Sequence, residues 1–302
     1  MTKYLNPFTD YGFKKLFGEE PNKNLLLDFL NELLKEEQGE IISLNYIKNE
    51  QLGNSDLDRK AIFDLYCENE AGEKFIVELQ KTKQRFFKDR TVYYSTFPIR
   101  DQAPKNDWDY QLKAVYLIAI LDFVFDEDQH EPEKYRYDVK LTDIETCKIF
   151  YDKLTFIYLE MPKFTKTLEQ LETRFDKWLY ILRNLTELEE IPAPLQEQVF
   201  EQLFETAEIA RLSREQMRSY EDSLKYYRDL KNSMDTARDE GKEEGIEIGI
   251  EIGREEGIEM GVKTVALALL QEGISEQVIL KTTGLTAEEL DQLRRESSSE
   301  LG

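Results

Sequence analysis

Asp64 and Glu78 are the pair of acids whose types and spacing point to chemistry. They sit in two apolar runs, Ala61-Ile-Phe-Asp-Leu-Tyr-Cys67 and Lys74-Phe-Ile-Val-Glu-Leu-Gln80, joined by the glycine-containing segment Glu68-Asn-Glu-Ala-Gly-Glu73. Such runs predict a β-hairpin. A turn centred on Ala71 sets Asp64 opposite Glu78, Phe63 opposite Leu79 and Leu65 opposite Val77. Strand alternation then sends Phe63, Leu65, Val77 and Leu79 into a core and leaves Asp64, Glu78 and Gln80 together on the other face. Directly opposed residues have Cβ atoms roughly 4.5–5.5 Å apart, where like charges repel. A hard divalent cation between the carboxylates removes that repulsion, and the backbone carbonyl of Leu79 is a candidate further ligand. The same acids also fit the solvated face of an ordinary hairpin, and a one-residue slip in register separates them.

A basic stretch follows at once. Residues 81–105 hold Lys81, Lys83, Arg85, Lys88, Arg90, Arg100 and Lys105 against Asp89 and Asp101, with Phe86, Phe87, Tyr93 and Tyr94 interleaved. The cations fit either contacts to a phosphate backbone or a solvated helix face. Phe86, Phe87 and Tyr94 are expected in the core. Cys67, on the face of Phe63 and Leu65, reads as a buried thiol.

The elements that must position these residues are mixed. Thr9 or Asp10 is placed to cap a short helix through Phe17, and Asn22 a second one whose leucines and Phe29 share a face. Ile41 to Tyr46 reads as a strand. Ala114-Val-Tyr-Leu-Ile-Ala-Ile-Leu121 has the composition of a central strand, and Tyr135–Leu141 and Leu154–Leu159 are further strands. From Leu168 the periodicity turns helical, with a long charged helix expected from Leu195 to about Arg238.

The whole chain resembles a known group. Asp64, a hairpin and Glu78-Leu79-Gln80 look like the PD-(D/E)XK nuclease core in the variant that has glutamine at the usual lysine position. Asn6-Pro-Phe-Thr-Asp-Tyr-Gly-Phe-Lys-Lys-Leu-Phe-Gly18, Val77-Glu-Leu-Gln-Lys81, Arg90-Thr-Val-Tyr-Tyr94, the strand Ala114–Leu121 and Tyr158-Leu-Glu-Met-Pro-Lys-Phe164 arrive in order. Together they resemble the Rpn family, the recombination-promoting nucleases with transposase-like descriptions, over about residues 3–235. The resemblance implies an α/β, restriction-endonuclease-like core, a mixed sheet flanked by helices, followed by a helical extension and a small all-α tail. It implies hydrolysis of DNA phosphodiesters with Mg²⁺ (Mn²⁺ or Ca²⁺ as alternatives), in recombination or defence against mobile DNA. Asp64, Glu78 and Gln80 would be catalytic; Asp64, Glu78 and Leu79 would hold the metal. Asp10, Lys14 and Lys15 are auxiliary candidates, and Lys81, Lys83, Arg85, Lys88 and Arg90 would contact DNA. Glutamine at position 80 brings no charge and is no base, which leaves the balancing charge open; Lys14, Lys15, Lys81, Lys83 and a second metal are the candidates. A catalytically silent DNA-binding or assembly protein, and a nuclease acting on RNA, are the competing readings.

Composition bounds these expectations. Forty basic against 62 acidic residues give a net charge of −22 over 302 residues, which at first argues against a polyanionic partner. The excess is uneven: residues 1–110 carry 16 basic and 20 acidic side chains, and residues 81–105 are locally positive by five. The single histidine, His130, rules out His-rich zinc sites and reads as a surface residue. Cys67 and Cys147 suit a reducing compartment. With no signal peptide or membrane-spanning run, a soluble cytoplasmic protein is expected.

Three segments are expected: 1–235 as the nuclease domain with its helical extension, 236–262 as a connector, and 263–302 as a small helical module. The connector has glycine at every fourth position from Gly241 to Gly261, a pattern read as a flexible or oligomerising element, or simply a linker. In the tail, Thr286-Ala-Glu-Glu289 forms a capping-box start. The tail could pass for part of a helix-turn-helix. Its four basic and seven acidic residues argue instead for a protein-interaction or self-association module.

Overall fold

The computed structural model describes residues 2–48, 50–51, 61–103 and 109–299; Lys105 lies outside them. It divides into two compact units, residues 1–232 and 233–302.

The first unit is built on a six-stranded sheet. Its strands are β1 (Leu44–Tyr46), β4 (Leu65–Asn69), β5 (Lys74–Gln80), β6 (Val115–Leu121), β7 (Arg136–Thr142) and β8 (Ile149–Glu160), in the order β1-β4-β5-β6-β8-β7. β2 (Glu50–Gln51) and β3 (Ala61–Ile62) form a separate two-residue ladder. β5, β6 and β8 run parallel, and the outer pairs are antiparallel. The β4–β5 hairpin has the predicted register, with Leu65 opposite Val77 and Tyr66 opposite Ile76. Gly72 turns it at φ +83°, which only glycine adopts without strain.

Helices α1 (Asp10–Phe17), α2 (Lys23–Leu34), α3 (Phe87–Arg100), α4 (Arg174–Asn184) and α5 (Gln198–Ala207) cover the sheet. Leu65, Cys67, Phe75, Val77, Ile118 and Ile157 share one core with Phe13, Phe17, Phe29, Trp178 and Phe200, which come from α1, α2, α4 and α5. Tyr66, Ile76, Leu117, Ala119 and Phe156 share a second core with Phe87 and Phe97 of α3 and with Phe125. Buried on both sides, β6 is apolar throughout, as a central parallel strand requires. Thr9 rather than Asp10 caps α1, accepting from the Gly12 N–H at 3.0 Å. A Cβ on Gly12 would stand 2.1 Å from the Asn6 carbonyl oxygen, so this turn excludes any side chain there.

The expected single helix from Leu195 is instead divided: α5 ends at Ala207, and α6 (Arg214–Gln271) begins anew and continues through the glycine tract. Residues of α6 up to 232 belong to the first unit. The second unit comprises the rest of α6 with α7 (Glu276–Thr283) and α8 (Ala287–Ser299), packed on Ala266, Ile279, Leu290 and Leu293. The capping box forms as read: the Thr286 N–H donates to the Glu289 carboxylate at 2.7 Å, and Thr286 Oγ1 accepts from the Glu289 N–H at 3.3 Å. No helix among the described residues is long and apolar enough to cross a membrane.

Candidate active site

The site begins where β4 gives out. One residue before the regular ladder, Asp64 turns its carboxylate onto β5: Oδ2 accepts from the Leu79 N–H at 2.8 Å, while the Asp64 N–H donates to Glu78 Oε1 at 3.2 Å. The side chain thus replaces a ladder bond that the strand no longer makes. The same break overturns the facing expected for Phe63. It packs in the α3-side core against Tyr66, Tyr94 and Phe97, not beside Leu65 and Val77. Cys67 is buried next to Leu65 as expected, and burial pushes its thiol up to about 12.

Glu78 is only 5% exposed. Burial first, then the facing Asp64 carboxylate, push it up to about 8. Burial also raises Asp64, opposed by the Leu79 N–H, while Asp10 adds to the rise and Lys14 and Lys81 oppose it. Both buried carboxylates resist ionisation although Arg90, Lys14 and Lys81 act against the rise, and the chemistry of this donor set fits a hard divalent ion. The N–H and C=O of one strand residue point to the same edge, so the Leu79 carbonyl faces the edge on which Asp64 lies. Among the described residues no group of three Asp, Glu, His or Cys could hold a metal.

Gln80 is held at both ends. Its Nε2 donates to the Thr82 carbonyl at 2.6 Å, and its Oε1 accepts from Arg90 Nη2 at 2.6 Å. The same Nη2 stands 4.0 Å from Glu78 Oε2. Arg90, grouped by sequence with outward-facing cations, thus turns into the site.

The other predicted residues are distributed as follows. Asp10 pairs with Lys14 at 3.2 Å, and both act electrostatically on Asp64. Lys15 is engaged elsewhere, with Glu19 at 2.8 Å. Lys81 lies over the Tyr226 ring at 5.5 Å. Lys83 pairs with Asp126, and Lys88 with Glu127 at 2.6 Å. Arg85 lies over Phe86, which is 65% exposed and not in the core, whereas Phe87 is buried. The ring of Tyr94 is half-buried against Phe63.

Sequence reasoning missed Asp122, the residue that follows β6. Its N–H donates to the Gln80 carbonyl at 2.9 Å, its Oδ2 accepts from the Tyr227 hydroxyl at 2.6 Å, and Lys231 stands 3.6 Å away. The start of α6 also holds the α1 entry, through Tyr220 to the Asn6 N–H at 3.0 Å and Ser223 to the Tyr11 N–H at 3.1 Å. The adjacent tyrosines Tyr226 and Tyr227, in an otherwise charged helix, were the available signal. The motif Tyr158–Phe164 is structural. Fully buried Glu160 accepts from the Phe125 N–H at 2.8 Å and pairs with Lys163 at 2.7 Å, and Lys163 donates to the Asp128 carbonyl and the Tyr137 hydroxyl.

A mixed sheet between helices, with an acidic pair at the end of a hairpin, defines a restriction-endonuclease-like α/β protein. Residues 7–237 match the family described as PD-(D/E)XK nuclease family transposase, and the chain belongs to that family. Residues 263–295 match the Rpn/YhgA-like nuclease family, C-terminal HTH domain, the helix-turn-helix against which the acidity of the tail had argued. No curated protein and no solved structure matches the chain.

Proposed function

We propose that this protein is a Mg²⁺-dependent endonuclease that hydrolyses DNA phosphodiesters, acting in recombination or in defence against mobile DNA. The observation that carries the reading is the crosswise tie between Asp64 and Glu78, two buried carboxylates at the mouth of the β4–β5 hairpin. Asp64, Glu78 and the Leu79 carbonyl would hold the ion; Mn²⁺ or Ca²⁺ has the same oxygen preference. Bound there, a divalent ion supplies a water nucleophile at neutral pH and stabilises charge on the phosphate. Gln80 accepts no proton; it fixes its neighbours through its two hydrogen bonds. Lys81, Lys83, Arg85 and Lys88 lie in the segment that follows β5, where phosphate contacts would set the position of the duplex without choosing sequence.

The helix-turn-helix match supports a second DNA contact from the tail. We further propose self-association through the C-terminal region. Ile246, Ile248, Ile250 and Ile252 are each at least 50% exposed, and the neighbouring glycines leave room for close approach of a second helix.

Incubating the purified chain with plasmid and Mg²⁺ or Mn²⁺, against EDTA and an Asp64→Ala control, tests the activity. Equal nicking by wild type and Asp64→Ala returns the protein to a silent DNA-binding role, and preferential degradation of a parallel RNA substrate changes the substrate class. Light scattering of the full chain against residues 1–238 tests assembly; identical oligomeric states reject it.

A further inference from the structure

A cation reaches the carboxylate pair from a helix. Arg90 reaches β5 from the first turn of α3. Nη1 donates to Gln84 Oε1 at 2.7 Å and Nη2 to Gln80 Oε1 at 2.6 Å. The guanidinium carbon lies 4.8 Å from the centre of the Phe87 ring and 5.6 Å from that of Tyr94. Two neutral acceptors and two rings thus fix the guanidinium, and its one acidic partner among these contacts, Glu78, is held at ion-pair rather than hydrogen-bond distance. Its Nε is buried and has no hydrogen-bond partner among the described residues, while the side chain as a whole keeps 29% of its surface exposed, so the guanidinium can still be reached from solvent. The nearest acid, Glu78, is 4.0 Å away, too far for a hydrogen bond.

We infer that Arg90 is a catalytic residue: it brings to the scissile phosphate the positive charge that a lysine at position 80 would otherwise bring, and Gln80 is the bracket that holds it there. This rests on the nuclease reading. In the hydrolysis a water oxygen bonds to phosphorus and the bond from phosphorus to the leaving sugar oxygen breaks. The water proton passes to solvent, and the leaving oxygen takes one from solvent. Arg90 gives and takes no proton, because a guanidinium stays charged at any working pH. It donates hydrogen bonds to the phosphate oxygens as their charge grows, from a position set before substrate arrives. The residue types are matched: glutamine offers an oxygen that a guanidinium can bind, whereas a lysine there would face Arg90 as a like charge.

The test is steady-state cleavage of a duplex by the full chain with Mg²⁺, using wild type, Asp64→Ala, Arg90→Gln, Arg90→Lys, Gln80→Lys and the double variant Gln80→Lys/Arg90→Gln. Melting temperatures and Mn²⁺ calorimetry accompany each. Arg90→Gln should lose about 100-fold in kcat, the scale of one preorganised donor. Its KM for DNA and its Mn²⁺ affinity should stay within about threefold. Arg90→Lys should retain part of the rate with the same fold. The double variant, which moves the charge back to the strand, should recover at least about tenfold over Arg90→Gln. An Arg90→Gln chain with raised KM and unchanged kcat would make Arg90 a plain DNA contact and overturn the inference. So would a double variant no better than Arg90→Gln. If wild type cleaves no faster than Asp64→Ala, the nuclease reading itself has failed, an outcome separate from either of these.

Discussion

Asp64 and Glu78 are tied crosswise: the Asp64 N–H donates to the Glu78 carboxylate at 3.2 Å, and the Asp64 carboxylate accepts from the N–H of Leu79, the next residue after Glu78, at 2.8 Å. The backbone bonds hold the side chains in place, yet they leave two negative charges in a buried site. Glu78 is displaced from 4.5 to about 8 as a result. Between those values the unfolded chain has released a proton that the folded chain keeps, so the metal-free protein loses stability as pH rises from 4.5 to 8. Urea unfolding at intervals across that range should show the decline, and Glu78→Gln should flatten most of it. A wild-type stability that rises with pH over this window would contradict the assignment.

Metal should reverse that trend. A divalent ion competes with protons for the same oxygens, so its stabilising effect grows with pH. At a hundredfold excess over Kd, Mn²⁺ should add about 2.7 kcal/mol, more readily near pH 8 than near pH 6. EDTA should remove it, and Asp64→Asn should abolish it. Equal shifts in wild type and Asp64→Asn would place the ion elsewhere.

Glu160 and Lys163 give a contrasting case. Their side chains are 0% and 6% exposed and stand 2.7 Å apart, and together they tie β8 to the loop at Phe125–Asp128 and to β7. Breaking such a pair leaves an uncompensated buried charge, so Lys163→Met should cost about 3–5 kcal/mol, and Glu160→Gln/Lys163→Met less than that. Since neither residue touches the carboxylate pair, the folded fraction of each variant should keep its Mn²⁺ affinity.

The hairpin shows how far strand alternation carries. A turn at Ala71 was enough to set Leu65 opposite Val77 and to bring Asp64 to Glu78. The alternation failed at Phe63 because the ladder stops at Leu65 and a carboxylate takes over the Leu79 N–H, so the chain is no longer bound to a two-residue period. Arg90 was legible as a candidate DNA contact but not as the partner of Gln80. Its direction depends on the phase of α3 and on rings at Phe87 and Tyr94 that only the packed fold brings beside Gln80. Asp122 had no local signal at all, since its partners Tyr227 and Lys231 lie over a hundred residues away. Helix through the glycine tract was masked by low intrinsic propensity. Once α6 is nucleated, each further residue adds a hydrogen bond without a new nucleus.

That tract carries a prediction of its own. A Cβ added at Gly245, Gly249 or Gly253 would meet nothing within 4 Å, so alanine at each should stabilise the helix by about 1 kcal/mol. If two copies pack on this stripe, the same methyls obstruct the approach. Triple replacement should then raise the melting temperature at low concentration while lowering the association state seen by light scattering. Unchanged association together with a higher melting temperature would remove the glycine face from the assembly.

The local cations are less available than their number suggests. Asp126 and Glu127, on the segment following β6, pair with Lys83 and Lys88, and the carboxylate of Glu127 is held below its usual range first by its hydrogen bond from Lys88. These acids occupy cations that the proposed phosphate contacts would use, in a chain of net charge −22. Replacing them, as Asp126→Asn/Glu127→Gln, frees two cations. DNA affinity at low salt should then rise, and the slope of log K against log salt should steepen by about 1 to 2, the value for one or two added phosphate contacts. Fluorescence anisotropy of a labelled duplex across a salt series measures both. A steeper slope in the variant places Lys83 and Lys88 on the DNA path; an unchanged slope means that the duplex passes them by and that the acids serve only to hold the loop.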